Sequence, residues 1–233
     1  MTVEYANRGI CDRPAVALTF DDGPNPPRTE QVLDILAEYD AVATFFVIGK
    51  WAERWPGTLR RIVDAGHVVG NHSYSHTVGV GDYDAGEAAI SHVTGRPCRF
   101  ARAAAFDYSS CDQSTLITAK ELLLVDADVN PADWDSTNAE NIARAVLNHP
   151  NLGSGSIIDL HDGAEYDDPA ALLGRPAAMI NALPVILDDL QERRLACVGL
   201  DEFTFEQMHV WVPNRVDGTH QRAINVARSR RDV

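Results

Sequence analysis

Two adjacent carboxylates, Asp21 and Asp22, stand where the apolar run from Ala15 to Phe20 gives way to a Gly23-Pro24 turn. The run reads as a buried strand, so both acids sit at its C-terminal mouth, the end at which parallel-strand barrels bind ligands. Neighbouring residues of a strand point in different directions, which lets one acid hold a metal while the other handles protons. An Asx-turn or a helix cap is the alternative for an isolated Asp-Asp-Gly. Further along, Gly70-Asn71-His72-Ser73-Tyr74-Ser75-His76 places two histidines four residues apart. On a helical turn that spacing puts both imidazoles on one face, within reach of one cation; a coincidental surface or core pair is the competing reading. With Asp22 they make a His/His/Asp set: three protein ligands and an open position, the composition of a catalytic rather than a structural metal site. A third stretch, Ile157-Ile158-Asp159-Leu160-His161-Asp162-Gly163, ends a short apolar strand in His161, a residue suited to general acid work near neutral pH. Arg102 and Asp133-Trp134 follow apolar runs in the same manner.

The elements that must position these residues follow from periodicity. Strands are expected near 15–20, 42–48, 67–71, 98–102, 122–126, 156–161 and 195–199. Between them, Thr29 to Tyr39 carries Val32, Leu33, Ile35, Leu36 and Tyr39 on an apolar helical face, and Trp51 to Ala65, Asn138 to Leu147 and Pro176 to Arg193 read likewise. At 233 residues, this βα alternation implies one α/β domain over 1–213, with the motifs gathered at one end of the sheet. Residues 214–233 lack a hydrophobic pattern and read as a polar C-terminal tail.

Five motifs between Ala15 and Gly163 occur in the order found in the polysaccharide deacetylase family, carbohydrate esterase family 4, which the chain resembles. The resemblance implies a distorted, incomplete (β/α) barrel of about seven parallel strands. It implies that Asp21 is the catalytic base, that Asp22, His72 and His76 bind one divalent metal ion, and that His161 is the general acid. Arg102 would pair with the base and Asp133 would position the acid. Substrate contacts are expected from Ala105, Phe106, Tyr108, Trp134 and Leu160, the last lining the pocket for the acetyl methyl group. Two departures stand out. The family's Arg-x-Pro-Tyr is Arg102-Ala103-Ala104-Ala105 here, and the family's acid three residues before Asp133 is Asn130.

The implied activity is metal-dependent removal of an acetyl or acyl group from the nitrogen of an N-acetylated sugar or small metabolite. An O-acetyl esterase acting on acetylated carbohydrate such as acetylxylan, or a non-catalytic carbohydrate-binding relative, are the alternatives. The mixed nitrogen and oxygen ligands favour zinc, with cobalt, nickel or manganese as substitutes. A net charge of −14 argues against nucleic acid and anionic membranes as partners. No apolar run approaches membrane-spanning length and no secretory leader is visible, so the chain as given reads as cytoplasmic, or as secreted if a signal was removed. Cys11, Cys98, Cys111 and Cys197 show no zinc spacing; a Cys98–Cys111 pair is open, with buried free thiols preferred. The short segment from Thr77 to Gly95 and Ala104-Ala105 both point to a substrate smaller than a long polysaccharide.

Overall fold

The computed structural model describes residues 3–77, 81–107, 122–164, 171–205, 209–211 and 224–225. Its centre is a seven-stranded parallel sheet built from β2 (Ala15–Asp21), β3 (Ala43–Val47), β4 (Val68–Asn71), β5 (Phe100–Ala101), β6 (Leu123–Leu124), β7 (Ile157–His161) and β8 (Ala196–Cys197). The order is β6-β5-β4-β3-β2-β7, and β8 pairs with the first residues of β2. Beyond β6 the chain reaches back to the other edge, where Val129 bridges Ile158, so the sheet curls into an incomplete barrel. All seven strands lie where the apolar runs place them.

Helices cover the outside: α1 (Arg28–Glu38), α2 (Gly49–Arg54), α3 (Pro56–Asp64), α4 (Asp82–Thr94), α5 (Ala139–Leu147) and α6 (Ala171–Glu192). The stretch expected as one helix from Trp51 to Ala65 is two, because Pro56 cannot continue a helix but can start one. Asn138 caps α5, its side chain accepting from Asn141 N–H at 3.0 Å. A separate antiparallel sheet joins β1 (Val3–Tyr5), β9 (His209–Trp211) and β10 (Ile224–Asn225), so part of the stretch read as a tail is paired.

Strand parity explains the two cores and the site together. Along β2, Val16, Leu18 and Phe20 face outward into the main core with Leu33 and Leu36 of α1 and Ile186 of α6. Ala15 and Ala17 face inward and pack with Phe46, Phe100 and Val198 on the barrel floor. Continuing inward, Thr19 and Asp21 stand opposite Asp159 and His161 of β7 in register. The barrel is thus apolar below and polar at its C-terminal mouth, the polarity that the alternation of period two dictates. Cys98 and Cys197 are free thiols; Cys111 lies outside the described residues.

Candidate active site

At the mouth, Asp22 leaves β2 with a positive φ of 72°, and its buried Oδ1 has no hydrogen-bond partner among the described residues. That oxygen lies 3.5 Å from Nε2 of His72 and 3.5 Å from Nε2 of His76. The Nδ1 of His72 is 3.1 Å from the Arg102 carbonyl, which can only accept; the proton therefore sits on Nδ1 and the Nε2 lone pair faces Asp22. An orphaned carboxylate oxygen between two imidazole nitrogens fits a divalent transition-metal ion, and one ligand atom from each of the three residues lies within 4.8 Å of the others.

The two histidines do not share a helical face. His72 directly follows β4 and His76 ends a series of bends, with Ser73 and His76 in the left-handed region at φ 66° and 59°. What folds the loop back is Asp82, the first residue of α4. Its carboxylate accepts from Tyr74 N–H at 3.0 Å, Ser75 N–H at 2.9 Å and the Ser75 hydroxyl at 2.9 Å. Burial pushes the Asp82 pKa up, but these donors outweigh it and leave the carboxyl below its ordinary value. Asn71 fixes the start of the same loop, accepting from Ser73 N–H at 2.8 Å and donating to the Tyr83 carbonyl at 3.0 Å.

Arg102 is fully buried beneath the acids. Its Nη1 donates to Asp21 Oδ1 at 2.8 Å, Thr19 Oγ1 at 2.7 Å and Asp159 Oδ1 at 3.1 Å, while Nε and Nη2 donate to the carbonyls of Val125 and Asp126 at 3.2 and 3.3 Å. Phe46 lies under the guanidinium with 4.2 Å to its ring centroid, and Phe106 lies 5.6 Å away. This arrangement holds Asp21 Oδ1 on the cation and leaves Oδ2, 3.6 Å from His72 Nε2, turned to the metal ligands.

On the opposite side, Asp133 grips His161 twice. Its Oδ2 accepts the His161 backbone N–H at 2.9 Å and its Oδ1 lies 2.9 Å from Nδ1. Burial opposes a charge on this ring, but the coulombic pull of Asp133 and then Asp159 outweighs it, so the imidazole holds its proton well above the usual histidine range. Trp134, 41% exposed, meets the ring edge-on at 5.1 Å between centroids.

Ala105 is exposed in a left-handed turn at φ 52°, directly after Arg102-Ala103-Ala104. Within the turn, Ala104 N–H donates to the Tyr83 hydroxyl, Phe106 N–H to the Ala103 carbonyl and Asp107 N–H to the Ala104 carbonyl; the N–H of Ala105 has no partner among the described residues. Tyr83 also donates to the Arg102 carbonyl at 3.2 Å. Tyr108 lies outside the described residues. Leu160 is not brought to the site: it is buried with Phe20 and Ile158 on the outer face of β7, and the same parity turns Asp159 inward instead. Asp159, Thr19, Asn71, Asp82 and Tyr83 are the residues sequence reasoning missed. For Asp159 a signal existed, since it stands two residues before His161 on the same strand face.

A carboxylate and two imidazoles converging on one point, flanked by an Arg-bound acid and an Asp-bound histidine, define a metal-dependent hydrolase in an incomplete α/β barrel. Residues 9–121 match the sequence profile of the family described as polysaccharide deacetylase. The chitooligosaccharide deacetylase of Azorhizobium caulinodans is 33% identical over 194 residues, covering 78% of this chain and 90% of the relative. Among solved structures, a peptidoglycan N-acetylglucosamine deacetylase in complex with 4-naphthalen-1-yl-N-oxidanyl-benzamide is 29% identical with a TM-score of 0.74, over 84% of this chain and 90% of that one. A family 4 acetyl xylan esterase from Clostridium thermocellum, solved with cobalt, is 33% identical with a TM-score of 0.68, over 81% of this chain and 89% of that one. The chain belongs to the polysaccharide deacetylase family.

Proposed function

We propose that this protein hydrolyses the acetamide of an N-acetylated sugar, giving the free amine and acetate. Asp22, His72 and His76 would hold the ion, zinc by the character of the ligands. A divalent ion bound there supplies a Lewis-acidic charge that lowers the pKa of water and polarises the acetyl carbonyl. Asp21, its Oδ1 held by Arg102, accepts the proton of the attacking water at Oδ2. The N–H of Ala105 would bind the oxygen that gains charge as the carbonyl carbon becomes tetrahedral. His161, oriented through Nδ1 by Asp133, delivers a proton from Nε2 to the departing nitrogen, without which an amine leaves poorly. The observation that carries this reading is the orphaned Asp22 oxygen between two imidazole nitrogens, with an acid and a base on either side.

The substrate we favour is short, a mono- or disaccharide derivative or a small acylated metabolite. Two features support this. Ala104 and Ala105 stand where the family has proline and tyrosine, and the segment after His76 supplies a single helix, α4, rather than a wall along a groove. An O-acetyl ester is the second reading, favoured by the likeness to the acetyl xylan esterase. Acetate release from N-acetylglucosamine, chito-oligosaccharides of increasing length and acetylxylan separates these readings. The proposal expects the amide substrates to lead and activity to change little with length; a steep rise with chain length overturns the short-substrate part, and release from acetylxylan alone overturns the amide.

A further inference from the structure

Asn130 stands where the family carries an acid three residues before Asp133, and the buried Arg102 guanidinium faces a second carboxylate besides the base. That carboxylate is Asp159, fully buried on the inner face of β7. One of its oxygens, Oδ1, accepts from Arg102 Nη1 at 3.1 Å; the other, Oδ2, accepts from Asn130 Nδ2 at 3.1 Å. The amide of Asn130 cannot be turned round, because its Oδ1 is committed to Ala132 N–H at 2.9 Å. Asn130 therefore offers Asp159 a donor, and an acid at 130 would set two carboxylates against each other. Both oxygens of Asp159 face a donor, which works against the burial and the Asp21 charge that push its pKa up.

We infer that Asp159 is a positioning residue for the reaction: it anchors Arg102 so that Nη1 holds Asp21 in the orientation of the base. Thr19 and the carbonyls of Val125 and Asp126 accept further hydrogen bonds from Arg102, and these groups are neutral. With Asp159 removed, Asp21 no longer shares Nη1 with a second carboxylate, and the orientation of the base is no longer set from two sides. The exchange between positions 130 and 159 makes a test available that a merely structural carboxylate would fail, because the polarity of the pair can be reversed in place.

The inference rests on the functional reading above, and the experiment separates the two. With zinc-loaded protein and triacetylchitotriose as the probe, Asp159→Asn is expected to lower kcat by ~10-fold or more. KM is expected to stay within about twofold and one zinc per chain to be retained, because neither the ligands nor the mouth is touched. Asn130→Asp alone, which opposes two carboxylates, is expected to be impaired as well. The double variant Asn130→Asp/Asp159→Asn should recover most of the lost kcat, a coupling that independent sites do not show. Unchanged kcat in Asp159→Asn, or a double variant no better than the poorer single one, overturns the inference. A wild type that releases no acetate sinks the functional reading alone. The crystal structure of Asp159→Asn then decides: a displaced Arg102–Asp21 contact supports the inference, and an unmoved one overturns it.

Discussion

Asp21 and Asp22 are adjacent in sequence and do different things because of what each side chain meets. Asp21 continues the inward face of β2 and lands on a buried guanidinium, while Asp22 departs in a left-handed conformation that turns its oxygen toward two imidazoles. Asp21→Asn keeps the shape but removes the proton acceptor, so acetate release should fall by ~10²–10⁴-fold. The metal should remain, because Asp22, His72 and His76 are untouched. Zinc analysis of the purified variant checks this; loss of the ion along with activity would make Asp21 a ligand and exchange the roles of the two acids. These residues were legible in the sequence because their signals are local: a strand that ends in acids, a strand that ends in a histidine, a pair of histidines beside a third ligand. The roles of Asp159 and Thr19 were not, even though the spacing to His161 puts Asp159 on the inner face, since what they do depends on Arg102, which is distant in sequence and meets them only when the barrel curls.

At the scale of elements, α4 does more than fill the short segment from Thr77 to Gly95. Its first residue folds the His76 loop, its second supports the turn that presents Ala105, and Gly86 lets it lie so close to the loop that an added Cβ would fall 2.8 Å from the Ser73 carbonyl carbon. Gly49 of α2 is matched to it, since its own Cβ would fall 2.9 Å from Gly86 Cα. The i, i+4 spacing of His72 and His76 pointed to a helix, and the correct pairing of the two residues was reached through the wrong conformation. The Asp82 carboxylate replaces helical backbone bonding with a cap on an irregular loop, and left-handed Ser73 and His76 mark the strain this holds in place. Asp82→Ala should weaken zinc affinity by ~10–100-fold, beyond the loss of stability that follows from losing the carboxylate's hydrogen bonds. Competition with a chromogenic chelator measures it; an affinity equal to wild type would show that the histidines hold their places without the cap.

For the whole molecule, the barrel was the most legible feature because each strand is an apolar run bounded by turn residues, and parity then decides which side chains fill the floor. What periodicity could not reveal was the small sheet of β1, β9 and β10, whose strands are only two or three residues long. Stability of the barrel carries a pH dependence of its own. His67, buried between β3 and β4, accepts from Ala43 N–H at 3.2 Å and packs against Phe45, and burial lowers its pKa to about 4. A group with a depressed folded pKa stays neutral while the unfolded chain takes up a proton below about pH 6.5, so this contribution is present at neutral pH and is lost as pH falls from 6.5 toward 4. The shift corresponds to roughly 3 kcal/mol at most. Urea midpoints of chelated wild type should fall more steeply between pH 7 and 5 than those of His67→Gln. Parallel slopes would remove His67 as the cause.

Hydrolysis by this site requires an ion between Asp22, His72 and His76. The most direct test is acetate release from triacetylchitotriose by protein stripped with a chelator and then titrated with zinc. The expected result is no release from the stripped protein and recovery that saturates at one zinc per chain in wild type but not in His72→Ala. Release that survives stripping, or that zinc restores equally in His72→Ala, would contradict it.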